Sequence, residues 1–142
     1  MPIELSELMD LAMRRRPHLY VGELPRPVAT YLDVNPGLVY LGREEFHHIA
    51  SKHTEVRQEE VQHLFLMIKH GFYFKDPNRR NCTTVFWTMP DTKKPFLVGL
   101  KAANSGEVWV QTMYRITVKK AERKMRPELS LSKDEHPLAR GC

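Results

Sequence analysis

The stretch FLVGLKAANSGEVWVQTMYRIT, residues 96–117, decides the fold class of this chain. Residues 96–102 begin with an apolar run, and residues 108–117 are rich in β-branched and aromatic side chains, a composition typical of strands. Residues 104–107, Asn-Ser-Gly-Glu, are typical of a hairpin loop. The sequence therefore predicts an antiparallel strand pair in this region.

Working outward, the segment after Gly71 continues the strand pattern, whereas the segment before it has helical periodicity. Further strands are predicted at residues 72–74 and 83–88, and two short apolar runs lie at 19–21 and 38–41. Helices are predicted at residues 3–15, 25–32, 43–53 and 54–70. We therefore expect an α+β fold in which N-terminal helices pack on one face of an antiparallel sheet of about four strands.

Length and composition exclude several classes of protein. The chain has 142 residues, 42% hydrophobic and 27% charged, which is long enough to bury a core as one domain. No apolar run reaches the roughly 20 residues of a membrane span, and the acidic N-terminus lacks the layout of a signal peptide. The two cysteines do not form a disulfide framework, so we expect a cytoplasmic protein without membrane contact.

The positive charge is concentrated near the C-terminus. The formal net charge is +5, and the 12 residues from 115 to 126 contain six basic side chains and one acidic one. The basic residues are Arg115, Lys119, Lys120, Arg123, Lys124 and Arg126. Such a segment indicates an anionic partner, most commonly nucleic acid, although a solvated basic tail has the same composition.

Three of the seven histidines lie in the helix predicted at 43–53. Helical spacing places His53 on the apolar side with Phe46 and Ile49, and His48 on another side. His53 is either a core histidine bonded to a carbonyl or a general acid or base, because histidine exchanges protons near neutral pH. His48 and His53 are five residues apart and no HExxH motif is present, so the spacing does not favour a metal site. No glycine-rich phosphate loop or other cofactor motif is present, and no cofactor is predicted.

Residues 108–115 alternate in a way that leaves the buried face undecided. Strict alternation puts Thr112 and Tyr114 on one face with Val108 and Val110. Their two hydroxyls are suited to a phosphate oxygen, or they reflect ordinary strand composition. Lys101 could approach this strand across the hairpin, but it could equally be an edge cation, and the register is open.

Two motifs in this order resemble the phage-associated branch of the barnase–EndoU–colicin–RelE nuclease fold. The first is the helix motif His48-Ile49-Ala50-Ser51-Lys52-His53, and the second is the strand motif Val110-Gln111-Thr112-Met113-Tyr114. The resemblance covers about residues 38–118. It implies a nuclease core there, an N-terminal helical extension at 1–37 and a basic, flexible C-terminal tail at 119–142.

The resemblance implies a small, metal-independent endoribonuclease, a toxin or a phage-borne effector, that acts on tRNA or mRNA. His48, His53, Thr112 and Tyr114 match the motif positions, and Lys52 stands where arginine is common. Metal-free RNA cleavage needs a base for the 2′-OH, an acid for the leaving oxygen and groups that stabilise the phosphate charge. We expect His48 and His53 to supply the proton transfers. The remaining predicted catalytic residues, which would hold or stabilise the phosphate, are Lys52, Lys101, Thr112 and Tyr114.

The basic segment would attract the RNA backbone, with Arg115 also close to the phosphate, and Tyr114 or Trp109 could stack an unpaired base. Two other functions remain open. One is a basic nucleic-acid-binding module without catalysis. The other is a non-catalytic effector that binds a host protein, and a nuclease of this kind could also bind a protein inhibitor.

Overall fold

A computed structural model describes residues 3–131 of the chain, and its helices and strands are joined by short connections. The α-helices are α1 Leu5–Ala12, α2 Arg26–Leu32, α3 Arg43–Lys52, α4 Gln58–Val61, α5 Leu64–His70 and α6 Val118–Lys124, followed by a 3₁₀ turn at Pro127–Leu129. The strands are β1 His18–Glu23, β2 Leu38–Gly42, β3 Phe72–Lys75, β4 Cys82–Thr88, β5 Pro95–Ala102 and β6 Val108–Arg115.

The expected combination of helices with a sheet is confirmed, but the expected sheet is wrong in size and direction. The described residues form one six-stranded sheet in the order β1-β2-β6-β5-β4-β3. β2 pairs with β6 in parallel, and all the other pairs are antiparallel. The two additional strands are the short apolar runs near residues 19–21 and 38–41. They join the sheet because β2 pairs with β6, which lies far along the chain, and β1 pairs with β2.

Apolar side chains line both faces of this sheet. The larger core lies between one face and α1, α2, α3 and α5, and includes Leu8, Leu19, Val110 and Met113. A smaller cluster on the other face joins Leu97 to Ala121 of α6. The N-terminal helices pack on one face as expected, but α6 covers part of the other.

The segments at the two ends of the chain are built into this arrangement. Residues 3–37, expected to be an extension of the nuclease core, supply β1 to the sheet and Leu8 to the larger core. Of the expected tail at 119–142, residues 119–124 belong to α6, and the Leu131 amide donates to the Tyr73 carbonyl at 2.9 Å. Residues 132–142 lie outside the described part of the chain.

A bulge in β6 changes which side chains face the larger core. Gly99 pairs with Thr112 and Leu100 pairs with Val110, so Gln111 is the extra residue. Val110 and Met113 are both fully buried, whereas Thr112 and Tyr114 are half-buried. The strict alternation expected from sequence, with Val110 and Thr112 on one face, is therefore wrong beyond the bulge.

This placement predicts unequal costs for two neighbouring truncations. Met113→Ala removes a fully buried side chain and should lower the free energy of unfolding by about 2–5 kcal/mol. Gln111→Ala, at the bulge, should change the free energy of unfolding by only about 0.5 kcal/mol. Urea denaturation of both variants measures the difference. Equal losses would contradict the placement of the bulge.

Candidate functional site

The two predicted motifs meet where the end of α3 lies beside β6. The His53 and Tyr114 rings are stacked, with centroids 5.1 Å apart and planes 26° apart. The parallel β2–β6 pairing involves only Val39–Val108 and Tyr40–Trp109. Because β2 stops pairing there, the rest of this edge of β6 is accessible to α3, and the helix end reaches Tyr114.

His48 and His53 also lie close to each other. Their ring centroids are 6.0 Å apart and their planes are nearly perpendicular, at 76°. Side chains five residues apart on an ideal helix diverge, but His53 follows the last residue of α3 and has non-helical backbone angles of −121° and 64°. The end of the helix thus brings the two imidazoles together, and the His53 side chain is 27% exposed.

Glu55 contacts both halves of this cluster, and the sequence analysis did not identify it. Its Oε2 atom lies 3.9 Å from His53 Nδ1 and accepts a hydrogen bond from the Arg115 backbone amide at 3.3 Å. The carboxylate can therefore stabilise a protonated His53 ring while it ties the loop after α3 to β6. Its sequence position, among other surface glutamates, carries no signal of this role.

Tyr114 and Thr112 present their hydroxyls from the same face of β6, as predicted. Burial raises the pKa of the Tyr114 phenol above its usual value, so the phenol stays protonated at neutral pH and can donate a hydrogen bond. Thr112 is opposite Gly99, where a Cβ would lie only 3.2 Å from Thr112 Cγ2. The absence of a side chain at residue 99 leaves this part of the face open.

A groove rich in basic residues continues from Tyr114 along α6. Its volume is about 560 Å³. The groove is lined by Tyr114, Arg115, Ile116, Thr117, Lys120, Arg123 and Lys124. None of these lining residues is acidic, so this basic groove favours an anionic ligand, and Tyr114 connects the groove to His53.

Two residues of the predicted basic segment lie outside the lining of the basic groove. Lys119 is exposed on α6, and Arg126 forms an ion pair with Glu128 at 3.6 Å. Arg115 pairs with Phe96 on β5. Because it directly follows Tyr114 in the strand, its side chain points to the opposite face of the sheet. The predicted segment is therefore partly a groove wall and partly ordinary surface.

The predicted cations do not all lie near the histidines. Lys52 is exposed and ends α3 immediately before His53. Lys101 is opposite Trp109, whereas Tyr114 is opposite Leu97. Four residues of β5 separate these two positions, about 13 Å at 3.3 Å per residue. The structure therefore brings His48, His53 and Tyr114 together, with the Arg115 backbone amide bonded to Glu55, and leaves Lys101 at a distance. Lys52 and Thr112 are their neighbours along α3 and β6.

The described residues contain neither a metal site nor a membrane-spanning helix. Between residues 3 and 131, no three His, Cys, Asp or Glu side chains are arranged to hold a metal ion. Within that range, no helix combines the length and apolar character required to cross a bilayer. Cys82 is buried, and burial raises the pKa of its thiol.

Comparison with known proteins found no match for the chain among protein-family models, curated proteins or solved structures.

The stacking of His53 on Tyr114 predicts a measurable ring-current effect. In Tyr114→Leu, which keeps apolar bulk but removes the ring, the His53 ring protons should move downfield in proton NMR spectra. Tyr114→Phe should leave them close to their wild-type positions, because the stacked ring is retained. The His53 signals can be assigned from a His53→Gln spectrum. Unchanged His53 signals in Tyr114→Leu would contradict the contact.

Proposed function

We propose that this chain is a metal-independent endoribonuclease that cleaves RNA through attack of the 2′-OH on the adjacent phosphate. The observation that carries the proposal is the contact of His53 with His48, Glu55 and Tyr114, because Tyr114 also lines the basic groove. Two imidazoles beside a cationic groove satisfy the need for both a base and an acid near a phosphodiester.

The carboxylate of Glu55 distinguishes the two histidines. When His53 takes the proton from the 2′-OH, the imidazolium that forms lies 3.9 Å from Glu55 Oε2, which stabilises its charge. We therefore assign His53 as the general base. His48 then gives a proton to the leaving 5′-oxygen, and the products are a 2′,3′-cyclic phosphate and a free 5′-hydroxyl.

Charge builds on the non-bridging phosphate oxygens as the 2′-oxygen attacks. The protonated phenol of Tyr114 donates a hydrogen bond to one of these oxygens, and Thr112 offers a second hydroxyl on the same face. Lys52 precedes His53 in the chain and Arg115 follows Tyr114, so both add positive charge to this part of the protein. Lys101 takes no part in this step, because it lies too far along β5.

The basic groove binds the RNA backbone next to the reacting phosphate. Lys120, Arg123 and Lys124 neutralise phosphates without reading the base sequence. Such binding releases counterions from the RNA, so the affinity falls as the salt concentration rises. tRNA or mRNA as substrate, a role as a toxin or phage-borne effector, a protein inhibitor and a cytoplasmic compartment are parts of the proposal that rest on the sequence resemblance.

A second candidate function is a non-catalytic effector that binds a host protein. It is favoured by an apolar stripe formed by Leu5 and Met9 of α1 and by Met13, which follows the last residue of that helix; these side chains are 46%, 51% and 61% exposed. Such side chains, four residues apart, share one helix face. This function predicts a stoichiometric protein complex that does not depend on RNA or on His53.

Removal of the proposed base should abolish RNA cleavage without unfolding the protein. We expect His53→Ala to cleave total RNA, including tRNA, about 100-fold more slowly or worse in EDTA, because general acid–base groups contribute 10²–10⁴-fold. Gel analysis measures the cleavage, and circular dichroism verifies the fold. His70→Ala, a histidine at the end of α5, is the matched control and should retain activity. Full activity in His53→Ala would contradict the assignment.

The basic groove predicts a salt-dependent contribution from each cation. With the His53→Ala protein as the RNA-binding form, adding Arg123→Ala should reduce the slope of log affinity against log salt by about 1. Arg26→Ala, on α2 outside the groove, should leave the slope unchanged. Equal slopes for the Arg123 and Arg26 variants would show that the RNA backbone does not lie in the groove.

A further inference from the structure

The sheet face that carries α6 is only partly covered by that helix. α6 packs over the part of this face that includes Leu97, Phe86 and Phe74. Nearer β1 and β2 the same face is open, and Tyr20 and Leu38 are 42% and 44% exposed. The side chains on this open half are aromatic rather than uniformly polar.

Strand register aligns four of these side chains. Tyr20 is directly opposite Tyr40, Tyr40 is beside Trp109, and Trp109 is opposite Lys101. Directly paired residues point to the same face of a sheet. Tyr20, Tyr40, Trp109 and Lys101 therefore form a row across β1, β2, β6 and β5, here called the aromatic row.

Ring contacts and one hydrogen bond hold the centre of the aromatic row in place. The Tyr40 and Trp109 centroids are 5.3 Å apart, and His18 meets both rings edge-on at 5.2 and 5.6 Å. Trp109 Nε1 donates to Glu107 Oε1 at 3.3 Å. Half-buried rings that are already positioned lose little conformational freedom when a flat ligand stacks on them.

The aromatic row and the histidine pair lie at opposite ends of one continuous surface. From Trp109 the face runs past Thr112 and Gly99 to Tyr114, about 13 Å along the strands. Glycine and threonine project little from this stretch. A strand of nucleic acid that leaves the histidines along β6 would therefore reach the aromatic row after more than one nucleotide.

We propose that the aromatic row binds an unpaired base of single-stranded RNA, with Trp109 as the stacking ring and Lys101 as a contact to the phosphate backbone. This inference rests on the proposed function, because it takes RNA as the ligand. A cation at the end of the row and a basic groove beyond it favour a polyanion over an apolar peptide. The substrate is then single-stranded on the side of the cleaved bond that reaches the row, since a base within a duplex cannot stack on it.

The test measures binding of a short, fluorescein-labelled single-stranded oligoribonucleotide to the His53→Ala protein by fluorescence anisotropy. Adding Trp109→Leu, which keeps apolar bulk without an aromatic ring, should weaken binding about tenfold. Trp109→Tyr is the matched control and should bind nearly as well as the parent. Thermal unfolding compares the stability of the three proteins.

A series of oligonucleotides with one abasic site each locates the stacked base. An abasic site at one position should weaken binding to the parent about tenfold. The same abasic site should have little effect on the Trp109→Leu protein, because both changes remove the same stacking interaction and their effects do not add. A folded Trp109→Leu protein that binds as tightly as the parent would overturn the inference. If the wild-type protein still cleaves RNA in that case, the proposed function stands without the aromatic row. If no oligonucleotide binds and no RNA is cleaved, both proposals fail.

Discussion

The parallel pairing of β2 with β6 is the constraint on which the rest of the molecule depends. It consists of only Val39–Val108 and Tyr40–Trp109, yet it joins the β1–β2 pair to the strands that follow residue 71. Its shortness is as important as its presence. A longer β2 would occupy the edge of β6, and the end of α3 could not approach Tyr114.

The bulge at Gln111 has a comparable effect on side-chain direction. It keeps Val110 and Met113 in the larger core although they are three residues apart. The same shift turns Thr112 and Tyr114 together toward the half-open face. One extra residue therefore reconciles a fully packed core with two accessible hydroxyls next to the histidines.

The face that carries these hydroxyls is divided by charge and shape. Around α6 it is a basic groove, and across β1, β2 and β6 it is aromatic. Backbone phosphates and unpaired bases are the two parts of an RNA strand that such surfaces bind. His53 and Glu55 lie at the groove end of this face, where β6 meets α3.

Sequence alone determined the features that depend on local periodicity and composition: the helix that contains His48, the 96–117 strand pair, the basic segment and the two hydroxyls of β6. The tertiary structure decided the features that join distant segments. Only long-range pairing makes strands of two short apolar runs, only the register separates Lys101 from Tyr114, and only the path of the loop after α3 brings Glu55 to the Arg115 amide. Periodicity reports which face a side chain occupies, whereas register and loop paths arise from packing energies summed over the whole core.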